Sequence, residues 1–321
     1  MDPQETGPRI VAIEEHFMHP ALADLFTRER KAPQAIADRL YDYGALRIAE
    51  MDAAGIDMQV LSHQSPGSQQ LSGDVAVEAC RAVNDALAAI VAARPDRFAG
   101  LAMLPTDQPE AAADELARAV GELGLKGAMT HGPSNGRFLD DADFWSIFAR
   151  AEALGVPIYI HPADPDPRVV AAYLAPYDKS HPTLVGPGWG FGMETGVHAV
   201  RLMLSGVFDR HPDLQIILGH MGEAIPFLLP RLEESLKRPV NAPSDVAAVF
   251  RTNFHVTTSG FFSDVALACC LSVLGAERIL FAVDWPYAKN DDAVAWFAGT
   301  NLDAESRNMI ASGNAARLLG V

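Results

Sequence analysis

Six side chains in this sequence carry the chemistry of a metal-assisted acid–base catalyst: Glu14, His16, His161, His220, Glu223 and Asp284. Glu14 and His16 stand two apart in an apolar stretch. Alternate residues of an extended chain share a face, so the two can converge while Glu15 points away. His161 ends the run Ile158-Tyr159-Ile160-His161, His220 and Glu223 follow Leu218-Gly219, and Asp284 follows Ala282-Val283. A charged group at the end of an apolar strand is costly to bury unpaired, and a divalent cation removes that cost. Two imidazoles and two carboxylates (Glu14, His16, His161, Asp284) form a mixed nitrogen and oxygen donor set suited to Zn2+, Mn2+ or Fe2+. Taken singly, each residue is more often an ordinary core or loop group. Their recurrence at equivalent points of a repeating architecture is what points to a site.

Those residues meet only if their strands lie side by side. Short apolar or β-branched runs recur at 10–14, 58–62, 100–104, 127–130, 157–161, 215–219, 254–258 and 279–284, each flanked by Gly, Pro or Asp. Helical periodicity fills 74–93, 109–123, 141–154, 192–208, 223–237, 263–274 and 304–319. Pro95 stops the first of these helices, and Gly124 and Gly155 sit at the carboxyl ends of the next two. Strand–helix alternation implies a parallel sheet with helices outside it, and eight repeats imply a closed (β/α)8 barrel of the TIM type. No G-x-G-x-x-G follows the first strand, which argues against an open dinucleotide-binding sheet. The expectation is one domain over 1–321. A barrel's active face lies where its strands end, and the long Pro-, Gly- and Asp-rich connection 162–190 after the fifth strand would overhang it as a pocket wall.

The chain is 49% hydrophobic and 21% charged, with a formal net charge of −16. That balance argues against long-range attraction to nucleic acid or an anionic membrane, while leaving room for a small anionic substrate. Cys80, Cys269 and Cys270 are odd in number and lack C-x-x-C spacing, so a reducing cytoplasm is expected rather than a disulfide framework. Met1 to Arg9 is polar, without the basic start and apolar h-region expected of a signal peptide, and no run approaches the roughly 18 apolar residues of a membrane span.

The motifs together resemble the decarboxylase branch of the amidohydrolase superfamily, which holds the γ-resorcylate, 2,3-dihydroxybenzoate and 5-carboxyvanillate decarboxylases. The resemblance runs through Ala12-Ile13-Glu14-Glu15-His16, Met51-Asp52-Ala53-Ala54-Gly55-Ile56-Asp57, Arg94-Pro95-Asp96-Arg97-Phe98, Ile160-His161-Pro162, Glu194-Thr195, Leu218-Gly219-His220-Met221-Gly222-Glu223 and Asp284-Trp285-Pro286-Tyr287. It implies a metal-dependent non-oxidative decarboxylase of a hydroxylated aromatic acid, working as a homodimer or homotetramer. Glu14, His16, His161 and Asp284 then correspond to the metal ligands. His220 corresponds to a histidine beside the metal that contacts substrate, and Glu223 to the residue that orients it. No residue matches a carbamylated lysine, since Lys126 precedes the fourth strand, so one divalent ion is expected (Zn2+ first, Mn2+ next) and no organic cofactor. A metal-dependent hydrolase or hydratase acting on a lactone, ester or amide shares these ligands and is the alternative.

The remaining candidates each have a plainer reading. Trp189, Phe191 and Trp285 could sandwich an aromatic ring or simply fill core. By the resemblance Arg231 holds substrate or organises a dimer contact; it could equally be a surface partner of Glu233 or Glu234. His63-Gln64 departs from the resorcylate pattern, so His63 is either a reader of ring substituents or a loop histidine. His19, His131, His181, His198, His211 and His255 are assigned structural or surface roles.

Overall fold

The computed structural model describes residues 8–23, 33–177, 179–236 and 245–321. Residues 1–7 of the amino-terminal reading, Asp178 in the long connection and Lys237 at the end of the predicted helix 223–237 lie outside the described residues.

Among the described residues, eight parallel strands pair in chain order, and their short apolar runs are the ones expected. The first two are Val11–Phe17 and Met58–His63. The third comes in two pieces, Phe98–Gly100 paired with the second strand and Ala102–Met103 paired with the fourth. Leu101 makes the transfer: its N–H donates to Leu61 O at 2.9 Å, and the next N–H, of Ala102, donates to Gly127 O at 2.8 Å. Ala128–His131, Ile158–His161, Ile216–Leu218, Phe254–Thr257 and Ile279–Leu280 follow. The eighth strand leaves regular pairing after Leu280 and turns to the first. Ile13 N donates to Phe281 O (3.2 Å), Asp284 N to Glu14 O (3.0 Å) and His16 N to Trp285 O (2.7 Å). This seam closes the barrel.

Inside it, Val11, Ile13, Val60, Leu101, Met129, Tyr159, Ile217, Leu280 and Ala282 form one packed cluster. Their strand neighbours Ala12, Leu61, Ile160, Leu218 and Phe281 face outward into a larger cluster shared with the helices, the layering a filled barrel requires. The first strand breaks its own alternation. Its register on the second shifts between Ala12 and Glu15, so two residues oppose one. Such a bulge re-aims side chains. It lets Ile13 fill the barrel while Glu14 and His16 still face the strand ends, and it sends Glu15 into the seam.

The outer helices include Gly73–Ala93, Pro109–Gly121, Trp145–Leu154, Gly190–Ser205 and Asp264–Leu274. Helices that were not predicted include Gln34–Leu40, then Ala45–Ala54, closed by Gly55 at φ +77°, Val246–Asn253 and Asn290–Gly299. The helix after the sixth strand starts at Ile225, not at Glu223, because Glu223 and Ala224 adopt positive φ (53° and 65°). The connection after the fifth strand carries short turns of helix at Pro167–Val169, Val170–Leu174 and Ala175–Tyr177. No helix among the described residues is long and apolar enough to cross a membrane.

Two buried histidines tie helices and strands together in their neutral form. His198 Nε2 accepts from Leu139 N at 3.1 Å, and His255 Nε2 lies 3.2 Å from Arg278 Nη1. Burial pushes each imidazole down to about 3. The unfolded chain therefore takes up protons that the folded chain refuses below about pH 6.5, and stability falls with pH through that window. Between pH 7 and pH 5 each should contribute a loss of about 2 kcal/mol. Melting temperature should drop over this range in the intact protein and drop less in His198→Gln, which keeps a hydrogen-bond acceptor without the titration. Parallel pH curves for the two proteins would contradict the assignment.

Candidate metal and acid–base site

Four strand ends and one bulge assemble the site. Glu14, His16, His161 and Asp284 each offer a ligand atom, all within 4.8 Å of one another. Glu14 Oε1 lies 3.2 Å from His161 Nε2, and His16 Nε2 lies 3.2 Å from Asp284 Oδ1. Glu14 Oε1 and His16 Nε2 are nevertheless buried atoms with no properly directed hydrogen bond. Converging lone pairs left unsatisfied by the protein are what a cation site looks like, and bonds of about 2.0–2.2 Å to one ion would satisfy them.

The neighbouring groups fix these donors in the orientation a metal needs. His161 Nδ1 lies 2.8 Å from Pro162 O and donates to it, which leaves Nε2 as the lone-pair nitrogen. His16 Nδ1 lies 3.3 Å from Ser62 Oγ. Glu14 Oε2 accepts from the Tyr159 hydroxyl and, at 3.3 Å, from Thr257 Oγ1, which turns Oε1 toward the cluster. Neither Gly219 nor Gly260 can carry a side chain: a Cβ at Gly219 would stand 2.9 Å from Glu14 Oε2, and one at Gly260 would stand 3.0 Å from Asp284 Oδ2. Asp284 itself sits at φ +73°, held there by its N–H bond to Glu14 O at 3.0 Å.

His220 and Glu223 form a hydrogen-bonded pair beside the cluster, His220 Nδ1 lying 2.7 Å from Glu223 Oε1. His220 Nε2 is 3.6 Å from Glu14 Oε1 and 3.8 Å from Asp284 Oδ2. Burial alone would lower the His220 imidazole, but the charges of Glu223 and Glu14 outweigh it and raise it well above the ordinary histidine range. Burial would raise the carboxyls of Glu14 and Asp284. The surrounding histidines override that effect and hold both below the usual carboxylate range. A cationic imidazole at the cavity's edge is a group that can steady developing negative charge.

The site opens into a cavity of about 730 Å³ lined by His16, His161, His220, Glu223 and Asp284 together with Trp189 and Phe191. Three candidates do not line this cavity. Trp285 is buried (1% exposed) and turned away from the cavity: its Nε1 donates to Glu50 Oε2 at 2.8 Å and its ring lies 3.9 Å under the Arg47 guanidinium. It packs the seam and cannot stack on a ligand. His63 has both nitrogens engaged, Nε2 accepting from His19 N at 3.2 Å and Nδ1 lying 3.0 Å from Gln64 O. These contacts fasten loops, and His63 does not line the cavity. Arg231 is 75% exposed beside Glu234 and does not reach this chain's cavity.

Two residues went unassigned as site residues. Tyr287 lines the cavity, its ring centred 6.0 Å from that of His16. His131, given a structural or surface role, ends the fourth strand with its ring 4.9 Å from that of His161. For His131, placement at a barrel strand's end was the available clue.

A family profile described as Amidohydrolase matches residues 15–321. The γ-resorcylate decarboxylase of Polaromonas sp. (strain JS666 / ATCC BAA-500) is 39% identical over 323 residues, covering 96% of this chain and 97% of that one. A crystal structure of dihydroxybenzoic acid decarboxylase from Polaromonas sp. JS666, with bound manganese and the inhibitor 2-nitroresorcinol, is 38% identical with a TM-score of 0.88, covering 98% of this chain and 97% of that one. The 5-carboxyvanillate decarboxylase structure from Sphingomonas paucimobilis is 35% identical with a TM-score of 0.91, covering 98% of this chain and all (100%) of that one.

The support around Glu14 generates a test. Tyr159→Phe removes the hydroxyl that turns Glu14 toward the cluster while keeping the ring that fills the barrel. Loss of such an orienting partner typically costs 10- to 100-fold in metal affinity. Competition with a fluorescent chelator should show that loss for Mn2+, with circular dichroism unchanged. Wild-type affinity in the variant would mean that Glu14 is not a ligand.

Proposed function

The chain belongs to the amidohydrolase family, in the branch that holds the dihydroxybenzoate and carboxyvanillate decarboxylases, and we propose that it removes CO2 from a hydroxylated aromatic acid without oxidation, using one divalent ion held by Glu14, His16, His161 and Asp284. The observation that carries this reading is the convergence of those four donors beside His220 at the base of a cavity with aromatic walls. The donor set by itself suits Zn2+ or Mn2+, and the manganese in the Polaromonas structure favours Mn2+. When bound, the ion supplies Lewis acidity that draws in the carboxylate and the adjacent phenol oxygen and promotes ionisation of that phenol.

Expelling CO2 directly from an aromatic ring would leave an unstable aryl anion. Protonating the carboxyl-bearing carbon first avoids it. Asp284, beside the cavity and ionised at rest, receives the proton that the ring hydroxyl gives up on binding and then delivers it to that carbon as general acid. A C–H bond forms while the ring oxygen becomes a carbonyl. The bond to the carboxylate then breaks, its electron pair returns to the ring, and CO2 leaves with aromaticity restored. His220, kept cationic by Glu223, donates to the substrate's carboxylate oxygen and stabilises charge as the ring is protonated. Phe191 and Trp189 flank the ring as apolar walls.

We also read the chain as a single domain that self-associates as a dimer or tetramer. Val197, Leu204, Phe227 and Leu228 are large apolar side chains left exposed, and Arg231 shares a helix with the last two. A contact between copies would account for a conspicuous arginine that does not reach its own cavity.

Purified protein should carry about one equivalent of Mn or Zn and release CO2 from ortho-hydroxybenzoates, measured with a carbonate-coupled assay. Asp284→Asn should abolish release, and Glu223→Gln should lower kcat about 10- to 100-fold by loosening His220. Chelation should remove activity and Mn2+ restore it. Metal present with titratable acid but no CO2 would move the assignment to a hydrolase.

A further inference from the structure

Resting on that decarboxylase reading, we propose that Gln69 is a positioning residue for the reaction: its buried amide fixes one wall of the catalytic cavity and, through His131, backs the ring of the ligand His161. Gln69 does not itself line the cavity. It belongs to the connection 64–72, which joins the second strand to the helix Gly73–Ala93 and has no strand or helix of its own. Ser65, Pro66 and Gln70 of that connection do line the cavity. An irregular stretch of wall keeps its shape only where its polar groups are tied to rigid neighbours.

Gln69 supplies those ties from a buried position, with both ends of its amide engaged. Oε1 accepts from the backbone N–H of His131 at 3.0 Å. Nε2 donates to Thr106 Oγ1 at 3.3 Å and to Ser68 Oγ at 3.1 Å. A backbone N–H can only donate, which settles which end of the amide is oxygen. The Gln69 carbonyl accepts from Asn135 N at 2.8 Å. Thr106 follows the third strand and passes the connection on, its hydroxyl donating to Ser134 Oγ at 2.8 Å. One residue of the second connection is thereby bonded to the segments that follow the third and fourth strands.

The end of the fourth strand is where this wall meets the metal centre. The His131 ring lies 4.9 Å from that of His161, with its Nδ1 3.4 Å from the same Gln69 Oε1. Gly67 admits the approach: it sits at φ +58°, and a Cβ there would stand 2.6 Å from His131 Nδ1 and 2.8 Å from Gln69 Oε1. The His161 ring also packs against that of His16 at 4.7 Å, and its Nδ1 is on Pro162 O. Packing and hydrogen bonding therefore act together to keep His161 Nε2 on the cluster.

Three variants separate the two roles. Gln69→Met keeps the length of the side chain and removes its hydrogen bonds. Thr106→Val removes the hydroxyl that receives Nε2. His131→Leu removes the ring beside His161 and leaves the backbone N–H on Gln69. At saturating Mn2+, Gln69→Met should raise KM for the best ortho-hydroxybenzoate about tenfold and weaken calorimetric binding of resorcinol to match, with kcat lowered less than about threefold. It should also weaken Mn2+ binding, read by chelator competition, about tenfold. Thr106→Val should shift KM and resorcinol affinity about threefold, the worth of one hydrogen bond, and spare Mn2+ affinity. His131→Leu should weaken Mn2+ binding about tenfold and leave KM unchanged. A merely structural role would lower the melting temperature with all three readouts unmoved, and that pattern overturns the proposal. So does a Gln69→Met protein in which only one of KM and Mn2+ affinity shifts. If Gln69→Met does not fold, unchanged KM in Thr106→Val or unchanged Mn2+ affinity in His131→Leu overturns it. Absence of turnover in the unmutated protein would instead overturn the decarboxylase reading, and the resorcinol and Mn2+ affinities would still decide what Gln69 holds in place.

Discussion

One carboxylate decides whether this barrel has a site at all. Glu15 lies in the seam between the first and last strands, where its two oxygens accept from Val283 N (2.9 Å) and Trp285 N (3.2 Å). Those two N–H groups bracket Asp284. With its neighbours pinned on either side and its own N–H on Glu14 O, Asp284 is held at positive φ with its side chain over the cavity. Burial drives the Glu15 carboxyl well above its ordinary range, against the pull of these backbone donors. Leaving such donors buried and unpaired would cost about 1–3 kcal/mol each. Closing the barrel and aiming the acid are therefore one event.

The same economy extends outward from the seam. Arg47 donates to His16 O at 2.6 Å and to Gln59 Oε1 at 3.1 Å, and covers the Trp285 ring. Trp285 in turn is tied to Glu50. The helix Ala45–Ala54 thus acts as a clamp on the outside of the seam, directly behind the residues whose front faces form the site. Glycine does the complementary work inside. Gly219, Gly260 and Gly192 let backbone approach Glu14, Asp284 and Glu223 closely enough that any side chain would displace a carboxylate. The polar cluster is compressed between a rigid seam and glycine-lined walls, which is the preorganisation that charge stabilisation needs.

The electrostatics follow from that compression. Two ionised carboxylates and a cationic imidazole share a small space at the cavity base, each displaced from its ordinary range in the direction its neighbours dictate. Asp284 stands between His16 and His220, 3.2 Å from one and 3.8 Å from the other, so a proton carried there would lie beside a cationic imidazole.

The sequence alone was enough for the strands, the barrel and the gathering of Glu14, His16, His161, His220, Glu223 and Asp284 at one rim, because strand ends in a parallel barrel map onto one face and polar residues there stand out against apolar runs. It was blind wherever a side chain's direction depends on a remote partner. Trp285 beside a candidate ligand reads as a stacking platform until Arg47 and Glu50 claim it, and His63 reads as a specificity residue until His19 and Gln64 occupy both its nitrogens. The bulge that lets Ile13, Glu14 and His16 all face inward belongs to the register with the second strand. The helix Ala45–Ala54 went unrecognised although its Ala, Leu, Glu and Met favour helix and Gly55 closes it; what the sequence hides is that Arg47 and Glu50 on it reach the seam. Spacing along the chain encodes which residues can share a face; only closure of the barrel determines what each of them meets there.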